Sequence, residues 1–130
     1  MIVDSSAVVA ILRFEPERVP FASMLDEAPE LRMSAATYLE LSIVIDSRKD
    51  PVVSQEIDEL IERFKIKIEP VTEAQAKIAR QAYRDFGKGS GHPANLNFGD
   101  CFSYALARDK REPILFKGED FGFTDLRAAV

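Results

Sequence analysis

The chain has 130 residues, 46% of them hydrophobic and 30% charged, a length that gives one domain with a substantial core and is short for two. Seventeen Lys and Arg face 22 Asp and Glu, for a formal net charge of -5, which argues against a protein that coats nucleic acid by bulk charge alone. One Cys excludes an intrachain disulfide and one His excludes a His-rich zinc site, so a bound metal should be a hard, oxygen-liking ion such as Mg²⁺ or Mn²⁺.

Met1 to Val3 is a short apolar run halted by Asp4 and two serines, which predicts a buried strand ending at a polar turn. Ser5 or Ser6 can cap a helix through Ala7 to Arg13, and Pro16 can open a second helix to about Ala28, since proline suits a first helical turn. Glu30 to Met33 reads as a strand, and Ser34 as the cap of a long helix, Ala35 to Ser47, stopped before Pro51. Val53, Ile57, Leu60, Ile61 and Phe64 make a helical stripe within Val52 to Phe64, and Lys65 to Glu69 alternates as a strand does. Thr72 caps a helix to about Phe86, a glycine-rich loop spans Gly87 to Pro93, and Asn97 caps a helix to about Lys110. Pro113 to Phe116 is a short strand and Leu126 to Val130 a candidate for another. Brief apolar strands separated by helices predict an α/β fold: a short, mostly parallel central sheet with helices on both faces, in a single domain over residues 1–130.

The longest purely apolar run, Ala7 to Leu12, is far below the ~20 residues of a bilayer span. No basic region precedes the opening apolar residues, so the expected location is the cytoplasm, away from membranes.

Three carboxylates stand in unusual places. Asp4 directly follows a strand, at the edge of an α/β sheet where ligands bind, although an acid there is also an ordinary turn residue. Glu40 has Leu39, Leu41, Ile43 and Val44 as near neighbours, a costly setting for a charge unless something pairs with it. Asp100 lies three residues past Asn97, in a first helical turn, where the helix dipole favours a negative charge and where simple capping would also place one. A fourth candidate follows the strand at Phe116, where Glu119 and Asp120 occupy the departing loop. Several carboxylates at close range repel and raise one another's pKa. Bound Mg²⁺ or Mn²⁺ resolves that conflict and supports phosphodiester hydrolysis through a metal-activated water.

The segments Met1-Ile2-Val3-Asp4-Ser5-Ser6-Ala7, Glu40 in a helix, Asn97-Phe98-Gly99-Asp100-Cys101-Phe102-Ser103-Tyr104-Ala105-Leu106-Ala107 and Leu115-Phe116-Lys117-Gly118-Glu119-Asp120-Phe121 resemble the PIN-domain ribonucleases, and among them the VapC toxins of bacterial toxin–antitoxin pairs. The resemblance spans essentially the whole chain, and the stretch Asn97 to Ala107 is its most specific part. It implies a PIN-like fold in which Asp4, Glu40 and Asp100 are the principal metal-site acids, with Asp120 the fourth and Glu119 a neighbour able to substitute. It also implies a Ser6 hydroxyl near the metal. The activity implied is that of a Mg²⁺- or Mn²⁺-dependent endoribonuclease with one or two ions, leaving 5′-phosphate and 3′-hydroxyl ends. The implied partners are an RNA substrate, a VapB-like antitoxin and a second copy in a homodimer. The competing reading is a PIN-like module that binds RNA or protein without cutting. A metal-dependent phosphatase with an Asp nucleophile is disfavoured, because Ser5 and Ser6 follow Asp4 where a second Asp would be expected.

Charge is unevenly spread. Residues 1–76 carry 8 bases and 15 acids, whereas residues 77–117 carry 8 bases and 4 acids. Lys77, Arg80, Arg84 and Lys88 share one helical face, so Arg80, Arg84 and Lys88, with Lys117 near Asp120, are candidate RNA contacts, although such a stripe is also what a solvated face looks like. The glycine loop lacks phosphate-loop spacing and is expected to be a mobile edge of the substrate groove; His92 is expected to be structural. With the four candidate acids set aside, 18 acids face 17 bases, so the acid surplus is largely the site itself.

Overall fold

A computed structural model describes residues 1–130. Four short strands, β1 (Ile2–Val3), β2 (Leu31–Ser34), β3 (Ile66–Glu69) and β4 (Ile114–Leu115), form one parallel sheet in the order β3-β2-β1-β4. Two helices link each strand to the next: α1 (Ser5–Leu12) and α2 (Arg18–Glu27), α3 (Ala35–Asp46) and α4 (Pro51–Arg63), then α5 (Glu73–Phe86) and α6 (Phe98–Lys110). The chain steps outward from β1 to β2 to β3 and then returns across the sheet to add β4 on the far side of β1. The carboxyl ends of β1 and β4 therefore flank the switch point of the sheet, where ligands of open α/β folds bind.

Strand alternation divides the core between the two faces. Val3, Met33 and Leu115 pack with Val8, Leu41 and Ile57 on one side, while Ile2 and Ile114 pack with Leu96, Leu106 and Phe121 on the other. The predicted fold class, a parallel sheet covered by helices on both faces, is what the chain adopts.

Local differences from the sequence reading have physical reasons. Helix α1 is capped by Asp4, whose Oδ2 accepts the Ser6 N–H at 3.0 Å, and Ser5 is its first helical residue. Helix α2 begins at Arg18, two residues after Pro16; it is Pro20 that sits in the first turn, where its missing N–H costs nothing. The segment from Leu126 makes one isolated parallel bridge, Ile114 to Ala128, because β4 is only two residues long. A 3-10 helix, Asp120–Phe123, follows β4 and was not predicted. The glycine loop is tied by a Gly87–Leu96 bridge, with Lys88 N–H donating to the Leu96 carbonyl at 2.7 Å. His92 packs its ring edge-on to Phe86 and accepts the Ala94 N–H. No helix is long and apolar enough to cross a membrane.

The amino-terminal edge of the sheet is electrostatically closed. Arg32 donates to Glu69 and Glu30 at 2.7 Å and to Glu112 at 3.0 Å. Burial pushes the Glu69 carboxyl up, but Arg32, Lys67 and Lys110 outweigh it and hold the group below the ordinary range. A cleft of about 370 Å³ opens there beside Arg32, Arg63, Lys65 and Lys67. It lies at the end of the sheet opposite the four candidate acids, and the Arg32 guanidinium within it is already fully engaged.

Candidate functional site

The carboxyl edge of the sheet has the opposite character. Asp4 leaves the end of β1 and is only 3% exposed. Its Oδ2 accepts both the N–H and the hydroxyl of Ser6, at 3.0 and 2.7 Å, and its Oδ1 accepts the Ser103 hydroxyl of α6 at 2.6 Å. The Ser6 Oγ in turn accepts the Lys117 backbone N–H at 3.0 Å, which ties the loop after β4 to the start of α1.

Asp100 stands in the first turn of α6 because Asn97 caps that helix. Asn97 Oδ1 accepts the Asp100 N–H at 2.8 Å, and Asp100 Oδ2 accepts the Asn97 N–H at 3.0 Å. This reciprocal box fixes one carboxylate oxygen and leaves the other free to face the site. The Asp100 carboxyl is pushed up to about 6, first by burial and then by the charges of Asp4, Asp120 and Glu40, with the Asn97 N–H pulling the other way. The charges of all three other candidate acids thus contribute to raising Asp100.

Glu40 lies half-buried on α3, and its carboxyl is raised by burial and by Asp4, with Ser5 partly offsetting the two. Its apolar neighbours do not enclose it: Leu39, Ile43 and Val44 are 58, 59 and 43% exposed. The carboxylate rests on the backbone of Gly99, where an added Cβ would stand 1.8 Å from Oε2. A glycine next to Asp100 is thus what lets α3 and α6 bring their two carboxylates together. Asp120 is exposed at the start of the 3-10 helix. Its neighbour Glu119 lines a separate cleft of about 420 Å³ with Phe21, Phe116 and Val130.

The cations expected nearby are placed differently. The Lys117 ammonium is paired with Glu15 and, at 3.3 Å, with Glu17, so RNA contact by Lys117 would require breaking that pairing. Its pKa is raised, chiefly by the hydrogen bond to Glu15. Arg80, Arg84 and Lys88 are exposed along α5 and the loop after it; α5 packs against α6 with Gln75 near its start donating to Asp109 near the end of α6, and the Gly87–Leu96 bridge follows its last turn.

The four acids come from four separate segments, and every donor atom they offer is a hard carboxylate oxygen, the type preferred by Mg²⁺ and Mn²⁺. No three Asp, Glu, His or Cys side chains as they stand are close enough to share one ion. The free Oδ1 of Asp100, the remaining lone pair of Asp4 Oδ1 and the rotatable ends of Glu40 and Asp120 are the groups that would close on a cation. No basic side chain within the cluster balances their charge. On chemical type and charge the residues fit a divalent ion.

A PIN-domain family model matches residues 1–126. The chain belongs to the PIN-domain family, in its VapC branch. This PIN domain is 59% identical over 130 residues to ribonuclease VapC28 of Mycobacterium tuberculosis, covering 100% of this chain and 98% of that protein. Its fold is shared with M. tuberculosis VapC20, described as a sarcin-ricin loop cleaving toxin, at a TM-score of 0.74 and 17% identity over 96% of this chain and 95% of that one. It is shared also with a toxin–antitoxin complex from Klebsiella pneumoniae, at a TM-score of 0.69 and 13% identity over 92 and 88% of the two chains.

The sequence alone does not assign Gly99, which lies against Glu40, Ser103, which donates to Asp4, or Thr37, which meets Ser103. The available signals were a glycine inside a helical first turn and a serine one turn beyond Asp100.

Two outcomes follow for this PIN domain. Gly99→Ala should keep its fold and change stability by at most about 1 kcal/mol in its favour, since the clash falls on the mobile end of Glu40. Its Mn²⁺ affinity should nevertheless drop about tenfold as that carboxylate is displaced; wild-type affinity would show that the Glu40–Gly99 contact is immaterial. In metal-free protein, Asp100 binds its proton more tightly folded than unfolded, so its contribution raises stability as pH falls from about 7 toward about 4. Asp100→Asn should therefore be more stable than wild type at pH 7 in urea unfolding, with the difference closing toward pH 4.

Proposed function

We propose that the protein is a Mg²⁺- or Mn²⁺-dependent endoribonuclease, the toxin of a toxin–antitoxin pair. The observation that carries this reading is the coupling of Asp4, Glu40, Asp100 and Asp120 at the switch point of the sheet, with Asp100 raised to about 6. Relatives named as ribonucleases support RNA as the substrate, and the toxin–antitoxin complex among the structural neighbours supports an antitoxin partner of the VapB kind. Exposed Leu39, Ile43 and Val44 on α3 offer the apolar surface that a protein partner needs; the reading includes a homodimer. The single buried thiol of Cys101 fits a cytoplasmic setting.

In this mechanism Asp4 and Asp100 would hold one or two divalent ions, with Glu40 and Asp120 directly or through water. When bound, such an ion supplies a Lewis acid for the phosphate oxygens and makes water a better nucleophile near neutral pH. The chain's own residues do the rest. Asp4 is oriented by the N–H and hydroxyl of Ser6, and the capping box leaves Asp100 one oxygen for the site. Asp120 is favoured over Glu119 as the fourth acid because its charge reaches Asp100. Arg80, Arg84 and Lys88, exposed on α5 and the loop after it, would contact the phosphate backbone of the RNA.

Purified protein with structured RNA and Mg²⁺ or Mn²⁺ should cleave it, and Asp4→Asn or Asp100→Asn should lose at least about a hundredfold in rate. Equal cleavage by wild type and variants would sink the assignment; tight RNA binding with no cleavage by either would favour the non-cutting module. Arg80, Arg84 and Lys88 changed together to Gln should weaken RNA binding and lower the slope of log affinity against log salt by about 2 to 3. An unchanged slope removes the stripe from the substrate path.

A further inference from the structure

Behind the acids lies a buried pair of hydroxyls that the activity as proposed does not use. Ser103 of α6 and Thr37 of α3 are 0 and 1% exposed, and their oxygens are 3.2 Å apart. The direction of this contact follows from counting protons. A carboxylate only accepts, so the single hydroxyl proton of Ser103 goes to Asp4 Oδ1 at 2.6 Å, and the Thr37 hydroxyl must be the donor to Ser103. The chain therefore runs Thr37 to Ser103 to Asp4.

Its placement repeats on both helices. Thr37 is three residues before Glu40 on α3, and Ser103 is three residues after Asp100 on α6, so each helix carries one hydroxyl and one acid on neighbouring turns of the same face. The Thr37–Ser103 contact joins the two helices directly, one turn away from the place where Glu40 rests on Gly99. Meanwhile both lone-pair directions of Asp4 Oδ2 are taken by Ser6. Ser103 takes one direction of Oδ1 and leaves the other as the only open acceptor of that carboxylate.

We infer that Ser103, backed by Thr37, is a positioning residue for the acid cluster: it fixes the rotation of Asp4 so that one Oδ1 lone pair faces the cation, and it sets the spacing of Glu40 and Asp100. This rests on the reading of the cluster as a divalent-ion site. The hydroxyls touch neither substrate nor ion, and they act by removing rotational freedom that ion binding would otherwise have to freeze.

The test is Mn²⁺ binding to RNA-free protein, followed by electron paramagnetic resonance of the free ion, for wild type, Ser103→Ala, Thr37→Val and Thr37→Ser. Ser103→Ala should weaken Mn²⁺ binding about tenfold or more. Thr37→Val, which exchanges the hydroxyl for a methyl of similar size, should weaken it less, and Thr37→Ser should match wild type. In RNA cleavage the Mn²⁺ concentration for half-maximal rate should rise by the same factor, while the rate at saturating Mn²⁺ stays close to wild type. Wild-type Mn²⁺ affinity in folded Ser103→Ala overturns the inference. If Ser103→Ala does not fold, Thr37→Val decides in its place, and unchanged affinity in that variant overturns the inference. Wild-type protein that binds no Mn²⁺ overturns the ion-site reading itself, and the role of Ser103 with it.

Discussion

A carboxylate that ends a central strand and is 3% exposed must find its hydrogen-bond donors within the protein, because a buried charge left unpaired costs several kcal/mol. Asp4 finds them in Ser6, the second residue of the helix it caps, and in Ser103 of α6. Ser6 passes the connection to the loop after β4, and Ser103 passes it to Thr37 on α3. One side chain thus joins the elements that meet at the switch point. The sheet order β3-β2-β1-β4 puts that side chain on the strand lying between the other carboxyl ends, so the fold and the site share one polar anchor.

The two edges of the sheet show what this arrangement leaves undone. At the amino-terminal edge Arg32 sits among Glu30, Glu69 and Glu112, and charge is matched within the protein. At the carboxyl edge Asp4, Glu40, Asp100 and Asp120 act on one another with no basic group among them, and the ammonium within reach, that of Lys117, is committed to Glu15 and Glu17. Matched charge at one end serves stability. At the other, burial first and unmatched acidic charge second raise Asp100 and Glu40, the kind of perturbation that marks a candidate functional site.

What the sequence made legible divides along the same physical lines. Strands and helices governed by local pattern were readable: Ser34, Thr72 and Asn97 cap α3, α5 and α6, and the alternation from Lys65 marks β3. Strand ends and unusual acids pointed to Asp4, Glu40, Asp100 and Asp120, and in the structure the charges of the other three raise Asp100. Features that depend on a partner distant in sequence were not readable. The capping role of Asp4 was hidden by two serines that are themselves good caps. The apolar residues around Glu40 suggested an interior that Leu39 and Ile43 do not have. Gly99 and Ser103 take their meaning from Glu40 and Asp4, 59 and 99 residues away, and no local pattern announces such a contact. The 3-10 helix at Asp120 has too few residues to show a period.

The absence of a basic group inside the acid cluster also orders events in time. If RNA is the substrate, as proposed, its phosphate would meet like charge on approaching four carboxylates, and the bare cluster would repel it. On the function proposed above, ions would have to arrive first and would turn the same surface from a barrier into an attractor. Occupancy by RNA would then track the free divalent-ion level, and a partner that neutralised the acids with its own positive charge would silence the protein by taking the ion's seat rather than the RNA's.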